Sequence, residues 1–218
     1  MSEHLLRASV ENLPLADNSV DLIFTDPPYI SALVHTYDWL AREAWRVLKP
    51  GGFVLAMCGG HRLNEIFAYM DAAGLSYFWK YEIEYGGPDS GMVWHNGQNG
   101  KRTTIVVRCK PILAYSKGKA GARTSTMGMF PAGGADKKYH HWGQDVSSAR
   151  YYIDCFSAPG DLVLDPFIGG GTTAKACALI GRRWVGCDVD PAALATTQAR
   201  MNVTDVYAAL PLFAEIHP

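Results

Sequence analysis

The stretch DLVLDPFIGGGTTAKACALIGRRWVGCD, residues 161–188, constrains the fold of this chain more than any other part of the sequence. A short apolar run ends at an aspartate and is followed, after three residues, by three consecutive glycines. An amphipathic segment comes next, and then a second apolar run that ends at Asp188. The runs have the length of buried strands, and the segment between them has helical spacing. The stretch therefore predicts a strand, a glycine turn, a helix and a second strand.

Similar patterns alternate along the rest of the chain. Apolar runs predict strands at residues 20–24, 53–58, 75–84 and 103–117, and helical spacing predicts helices at 37–48, 63–70 and 190–202. The Lys-Pro-Gly-Gly segment 49–52 is expected to separate a helix from a strand, and residues 85–100 and 117–147 are expected to be irregular. Alternation of this kind predicts an α/β fold with a mostly parallel, doubly wound sheet.

Composition sets the limits of the interpretation. The chain has 218 residues, 48% of them hydrophobic and 19% charged, so we expect one domain over residues 1–218 with a substantial core. No apolar run approaches the roughly 18 residues that span a bilayer, and the first residues lack a secretory pattern. The five cysteines are scattered and form no CxxC pair, which favours reduced thiols in the cytoplasm. The histidines show no metal-ligand spacing, so no metal site is predicted.

The charges are unevenly distributed. Residues 101–141 contain nine lysines or arginines and one acid, although the whole chain has a net charge of −1. A basic segment on an otherwise acidic body predicts a surface for a polyanion. The alternative is a solvated loop rich in lysine, and charge alone does not separate the two.

The glycine turn, residues 169–171, fits the pattern G-x-G-x-x-G/A of nucleoside-binding folds. Glycines let a ligand approach the backbone, and Asp188, 19 positions after Gly169, is placed to accept bonds from ribose hydroxyls. A carboxylate at Asp165 would repel the pyrophosphate of NAD and suits S-adenosylmethionine, which carries an ammonium and a sulfonium. The alternative is that Asp165 only caps the turn that follows it.

A second motif makes the sequence resemble a known family. DPPY at residues 26–29, together with DPFIGGGTT at 165–173, resembles the DNA methyltransferases that modify adenine N6 or cytosine N4. VLKPGG at 47–52, PGDLVLDPF at 159–167 and GCDVD at 186–190 extend the resemblance over most of the chain outside 85–147. DPPY precedes the glycine motif, as it does in the circularly permuted β group of that family.

The resemblance implies a fold, a cofactor and a partner. The fold is a doubly wound, Rossmann-like methyltransferase fold in permuted order, with a DNA-recognition segment inserted within residues 85–147. The methyl donor is S-adenosylmethionine, for which the motif positions are Ser9, Asp165, Pro166, Phe167, Gly169, Gly171, Thr172 and Asp188. Ser147, Ser148 and Tyr151 are candidates for its methionine carboxylate. The basic segment then contacts DNA, with Lys117, Lys119, Arg123, Lys137 and Lys138 as candidate contacts.

The chemistry of amino methylation accounts for residues 26–29, which we call the proline corner. An exocyclic amino nitrogen is a poor nucleophile because its lone pair is delocalised into the ring. Asp26 and the carbonyl of Pro27 can each accept one N–H bond, and such bonds strengthen as the nitrogen becomes cationic. Pro28 restricts the backbone and offers no competing donor. Tyr29 offers a face for a base flipped out of the duplex.

Several alternatives remain open at this point. Asp at the first position of the motif favours adenine N6, with cytosine N4 as the nearest rival; RNA, a protein glutamine amide or a catalytically idle DNA-binding protein are further ones. Trp94, Phe130 and Trp142 either stack on DNA or anchor their own loops. The short recognition segment leaves a short target site, relaxed specificity or help from a second subunit in a homodimer.

Overall fold

The computed structural model describes residues 4–84, 92–98, 101–120, 126–131, 146–201 and 206–208. For residues 92–98, 101–104 and 206–208 the description covers the backbone alone.

Strands and helices alternate within these ranges. The strands are β1 (His4–Arg7), β2 (Val20–Thr25), β3 (Leu48–Met57), β4 (Ser76–Glu84), β5 (Met92–Gln98), β6 (Lys101–Val107), β7 (Cys109–Ser116), β8 (Met129–Pro131), β9 (Leu162–Asp165), β10 (Arg183–Asp188) and β11 (Val206–Ala208). The helices are α1 (Thr36–Val47), α2 (Leu63–Ala72), α3 (Val146–Phe156), α4 (Thr172–Leu179) and α5 (Pro191–Met201), and a short 3-10 helix covers Ser31–Leu33.

Nine of the described strands form one sheet in the order β11-β1-β10-β9-β2-β3-β7-β4-β8. All neighbouring pairs are parallel except the two that involve β7, which runs antiparallel to β3 and β4. The strands β5 and β6 form a separate antiparallel hairpin. The sheet confirms the predicted mostly parallel α/β architecture.

The strands send alternate side chains to two separate cores. On β2, Ile23 packs in the core beneath α1 and α2, whereas Leu22 and Phe24 pack in the core beneath α3, α4 and α5. On β3, Val54 and Leu55 divide in the same way. Both faces of the sheet are therefore covered by helices, which is the doubly wound arrangement that the sequence predicts.

Some local predictions differ from the structure. The segment 49–52 belongs to β3 and continues its pairing beyond the end of β7. The Gly51 amide donates to the Lys117 carbonyl at 2.8 Å, and the Lys117 amide donates to the Gly52 carbonyl at 2.9 Å. The expected loop 85–100 contains β5, and the single strand expected at 103–117 is broken at Arg108 into β6 and β7. The helix α3 was not predicted. The first difference depends on a partner that is distant in sequence, whereas β5 pairs with β6, its neighbour along the chain.

The direction of the strands decides where a site can form. The parallel strands β1, β2, β3, β9 and β10 all end at one edge of the sheet, and the antiparallel strand β7 begins there. In open α/β sheets, ligands bind outside the carboxyl ends of the strands. The proline corner and the glycine turn follow such ends, and Asp188 is the last residue of β10.

Candidate active site

The sheet brings the two sequence motifs together. The proline corner follows β2 and the glycine turn follows β9, and these strands are direct neighbours, with Ile23 paired to Leu164. Neighbouring strands lie about 4.8 Å apart, so the two motifs share one stretch of the carboxyl edge.

A buried carboxylate connects the two motifs. Asp165, at the end of β9, accepts a hydrogen bond from the hydroxyl of Thr25 at 2.7 Å and one from the hydroxyl of Thr173 at 2.6 Å. The Phe167 amide also donates to it, at 3.1 Å. Thr25 precedes the proline corner and Thr173 lies in the first turn of α4. The carboxylate therefore fixes the corner relative to the turn.

The environment of Asp165 changes its acidity. Burial raises the pKa of Asp165 to about 6, and the negative charge of Asp26 adds to the rise, although the three hydrogen bonds oppose it. The residue is 4% exposed and lies beneath the turn. Its direct contact with a ligand stays a prediction, since its present partners are protein donors.

Gly169 and Gly171 are needed in the turn for different structural reasons. Gly169 has φ +48°, and a Cβ there would come within 4 Å of the Phe167 carbonyl alone, so the backbone is open to a ligand. Gly171 has φ +75°, and a Cβ would lie 2.9 Å from the Thr197 hydroxyl. Gly171 thus permits contact with α5, while Gly169 leaves room above the turn.

The helix α5 supports the turn from behind. The Thr197 hydroxyl donates to the carbonyl of Gly169 at 2.7 Å, and the Arg200 guanidinium donates to that of Gly170 at 2.8 Å and to the Thr172 hydroxyl at 3.3 Å. These bonds satisfy the carbonyls of Gly169 and Gly170 and tie the turn to α5. Pro166 is buried and Phe167 half-buried under the same turn.

Asp188 lies beside the glycine turn, as predicted. Its two oxygens accept the backbone amides of Gly169 at 3.1 Å and Asp190 at 2.9 Å. A carboxylate has about four lone-pair sites, so each oxygen can still accept a ligand hydroxyl. The Ala8 amide donates to the Asp188 carbonyl at 3.2 Å, which brings the predicted contact Ser9 to the same end of β10.

The proline corner borders a shallow pocket. Its walls come from the corner, from α1 and α2, and from the segment after β3: Pro28, Tyr29, Ile30, Val34, Tyr37, Gly59, His61, Arg62 and Ile66. The Tyr29 hydroxyl is buried and finds no hydrogen-bond partner among the described residues. The corner therefore presents polar and aromatic groups next to a small apolar recess.

A lysine that sequence reasoning missed completes the corner. The Lys110 ammonium, near the start of β7, lies 3.0 Å from Asp26 Oδ2 and 5.0 Å from the centre of the Tyr29 ring. Its only signal in the sequence was its membership of the basic segment. The antiparallel course of β7 brings this residue to the carboxyl edge, and the sequence does not reveal that course.

The structure does not bring Lys117 to the site. This residue follows the other end of β7, where its ammonium donates to Asn18 Oδ1 at 2.7 Å and to the Leu48 carbonyl at 2.8 Å, over the ring of Trp45. The DNA contact proposed for Lys117 stays a prediction, and the structure places this lysine at the edge of the sheet opposite the proline corner. Lys119 is exposed near the same place.

Other predicted residues divide between the described and the remaining parts of the chain. Arg123, Lys137, Lys138 and Trp142 lie outside the described residues, as does the side chain of Trp94. Phe130 stacks on Tyr151 at 4.8 Å, which suits a loop anchor. The Tyr151 hydroxyl accepts the Met127 amide at 2.7 Å, and Ser148 is buried on α3.

The described residues offer neither a cluster of metal ligands nor a helix of membrane-spanning character. They contain no group of three or more His, Cys, Asp or Glu side chains arranged for a metal ion. In the same part of the chain, no helix combines the length and apolar character needed to cross a membrane.

Two family models match different parts of the chain. Residues 131–199 match the N6/N4 family described as DNA methylase, and residues 2–56 match a family described as methyltransferase domain. The type II methyltransferase M.HpaI of Haemophilus parainfluenzae is 25% identical over 230 residues, covering 86% of this chain and 70% of that protein. These matches confirm the resemblance to amino-methylating DNA methyltransferases.

Solved structures share the fold. M1.HpyAVI, known as a complex with SAM, superposes with a TM-score of 0.72 at 20% identity and covers 93% of this chain and all of that one. The cytosine-N4-specific PvuII DNA methyltransferase has a TM-score of 0.73 at 15% identity, over 94% of this chain and 88% of that one. The predicted methyltransferase fold is thereby confirmed.

Asp165→Asn should change how stability depends on pH. An acid whose folded pKa is raised binds more protons in the folded state, so it lowers the free energy of unfolding as pH rises from about 4 to about 6. Asparagine keeps the Oδ1 acceptor for Thr25 and Phe167 but does not titrate. The stability of the wild type relative to the variant should fall by about 3 kcal/mol across this window.

Urea unfolding of both proteins at a series of pH values measures this difference. Groups that do not interact with Asp165 contribute equally to both proteins and cancel. A difference that stays constant between pH 4 and 7 would contradict the raised pKa.

Proposed function

We propose that this protein transfers the methyl group of S-adenosylmethionine to an exocyclic amino nitrogen of a base in DNA, and that the base is adenine, modified at N6. The single observation that carries the proposal is the adjacency of the proline corner and the glycine turn at the carboxyl edge, joined through Asp165. An enzyme of this kind must bring an amino group and a methyl group into line, and the two motifs are placed for this.

The glycine turn fits the donor. Gly169 leaves the backbone accessible, and Asp188 is oriented by two backbone amides so that it can accept the ribose hydroxyls. The carboxylates of Asp26 and Asp165 make this part of the edge favourable for a cationic ligand and unfavourable for a phosphate. S-adenosylmethionine supplies an electrophilic methyl group on a positive sulfur.

The proline corner fits the acceptor. Asp26 and the Pro27 carbonyl would accept the two amino hydrogens, which directs the nitrogen lone pair towards the methyl group. Both bonds strengthen as positive charge develops on the nitrogen, so they stabilise the transition state more than the bound base. Tyr29 would stack on the flipped base, and its buried hydroxyl has hydrogen-bonding capacity left for a ligand.

The choice of adenine rests on the identity of one residue. Members of the family that modify adenine N6 tend to have aspartate at the first position of the motif. Cytosine N4 is the second candidate, and the similarity in fold to the cytosine-N4-specific PvuII enzyme favours keeping it. Either base presents an amino group with two hydrogens to Asp26 and Pro27.

We further propose that the protein acts in the cytoplasm on DNA and that residues 85–147 carry target recognition. Their basic character suits the phosphate backbone. A homodimer would enlarge a recognition surface that is short in one chain.

Sequencing that distinguishes modified bases tests the proposal directly. DNA from cells that express the protein should contain N6-methyladenine at a defined site, absent from cells that express Asp26→Ala. N4-methylcytosine would support the second candidate, and DNA without either modification would contradict both.

Asp188→Ala should weaken donor binding by about 1–3 kcal/mol, because buried ligand hydroxyls lose their acceptor and the Gly169 amide loses its partner. Calorimetric titration with S-adenosylmethionine measures the change. Asp190→Ala is the matched control, since this exposed carboxylate caps α5 through the Ala192 amide. Tight binding of NAD without binding of S-adenosylmethionine would reverse the assignment.

Asp26→Ala should reduce the single-turnover rate of methyl transfer by about 100-fold or more, while the affinity for the donor stays close to that of the wild type. The reason is that its hydrogen bond gains strength in the transition state. Rapid-quench transfer of a tritiated methyl group measures the rate.

Asp38→Ala, which removes an acid paired with Arg42 on α1, is the control and should keep the wild-type rate. Because Asp26→Ala also leaves Lys110 without its carboxylate, thermal unfolding must show that the variant is folded. A folded Asp26→Ala protein with the wild-type rate would refute the catalytic role.

Neutralising Lys137 and Lys138 to glutamine should weaken binding to many DNA sequences alike. Loss of two phosphate contacts should reduce the slope of log affinity against log salt by about 2. Fluorescence anisotropy at several salt concentrations measures it, with Arg42→Gln, outside the basic segment, as the control. An unchanged slope would place the DNA elsewhere on the protein.

A further inference from the structure

One ammonium occupies both features that the proposed function assigns to the target base. Lys110 Nζ lies 3.0 Å from Asp26 Oδ2, where an amino group would donate, and 5.0 Å from the centre of the Tyr29 ring, where the base would stack. The Lys110 side chain is 11% exposed and the Asp26 side chain 28% exposed. The Lys110 ammonium and the flipped base would therefore compete for the same position beside Asp26 and Tyr29.

We propose that Lys110 is a placeholder for the target amino group, which holds Asp26 and Tyr29 in position in the resting protein and must withdraw before the flipped base can enter. This inference rests on the proposed function and adds a residue that controls entry to its site. Lys110 acts through Asp26 and Tyr29, so it is a positioning residue.

Charge explains why the lysine must withdraw. During methyl transfer the amino nitrogen becomes cationic, and a second cation within a few ångströms would oppose that change. Lys110 at its resting place would therefore raise the barrier that Asp26 is proposed to lower. The exchange replaces one N–H donor at Asp26 by another.

Charge also explains why a lysine is placed there at all. Asp26 is partly buried and lies close enough to the buried Asp165 to raise the pKa of that group. A carboxylate in this position is costly without a partner. Lys110 supplies the partner while the base is absent, and its contact with the Tyr29 face keeps the ring in place.

The local structure lets the side chain move while the backbone stays fixed. Lys110 pairs with Ile83 of β4, and the next residue, Pro111, accepts the Cys58 amide at 3.0 Å. The ammonium is carried on a flexible four-carbon stem at the open edge of the sheet. Rotation of this stem would move the ammonium away from Asp26 and from the Tyr29 ring.

Competition with Lys110 sets a minimum interaction energy that a flipped base must exceed to stay in the site. A flipped base is retained only when its interactions with the corner exceed those of Lys110, and the population of the open corner sets the apparent affinity. Removal of the ammonium should therefore favour the flipped state, whereas removal of Asp26 or Tyr29 should oppose it.

Lys110→Met tests the placeholder role, because methionine has a similar length and no charge. The probe is a duplex with the site found by sequencing, in which 2-aminopurine replaces the modified adenine or stands next to a modified cytosine. At saturating protein, Lys110→Met should raise its fluorescence about twofold or more relative to the wild type. The single-turnover rate with an unlabelled duplex at saturation should equal or exceed that of the wild type.

Two further variants separate charge from bulk and from stability. Lys110→Arg keeps a cation at the corner and should not raise the fluorescence. Lys49→Met removes a similar pair, Lys49 with Asp21 at 3.0 Å, from the opposite part of β2 and should leave fluorescence and rate unchanged. Lys110→Gln, which can still donate a hydrogen bond to Asp26, replaces Lys110→Met if thermal unfolding shows the latter to be unfolded.

The outcomes distinguish this inference from the proposed function. A folded, neutral Lys110 variant whose fluorescence does not exceed the wild-type value, or whose single-turnover rate falls below it, would overturn the placeholder role, provided that the wild type methylates DNA. An equal gain in Lys110→Arg would also overturn it. A wild type that methylates no DNA overturns the proposed function and this inference with it.

Discussion

The carboxylate of Asp165 accepts hydrogen bonds from Thr25, Thr173 and the Phe167 amide, and the arrangement of the site depends on these three contacts. Thr25 lies 140 positions earlier in the chain, so the contacts join two motifs that are remote in sequence. A short polar group in an otherwise apolar interior needs all of its partners, because an unpaired one is costly there. Any movement of the proline corner relative to the glycine turn would break at least one contact, which makes their relative position rigid.

Because the two motifs are held rigidly, the fold itself supplies the alignment of methyl donor and acceptor that the proposed reaction requires. Methyl transfer needs neither a nucleophile on the protein nor a metal ion, but it needs a donor and an acceptor in line. The pairing of β2 with β9 sets the distance between the two halves of the site. Their order along the chain is immaterial to that pairing, so a chain in which DPPY comes first can build the same site.

The sequence predicted the parts of the site that are local in the chain. The strand, glycine turn and helix at 161–180 and the proline corner carry their own signals in spacing, glycine and proline. Strand β7 shows why other parts escaped prediction. Lys110 and Lys117 lie at opposite ends of it, so its antiparallel course sends one to the proposed active site and the other to the carbonyls behind α1. Counting charges treats both alike, and only the pairing with β3 and β4 distinguishes them.

The proposed mechanism keeps Asp26 paired with a cation through most of the cycle. In the resting protein the partner is the Lys110 ammonium. Asp188 and the glycine turn would hold the donor, whose sulfonium would supply the methyl group. Transfer would form the N–CH3 bond and break the S–CH3 bond, so a neutral thioether would remain and the positive charge would pass to the amino nitrogen beside Asp26. Loss of a proton from that nitrogen to water would then allow Lys110 to return to Asp26. The Asp26 carboxylate thus stabilises the site most strongly when the amino nitrogen becomes cationic. In the resting protein the Lys110 ammonium neutralises its charge.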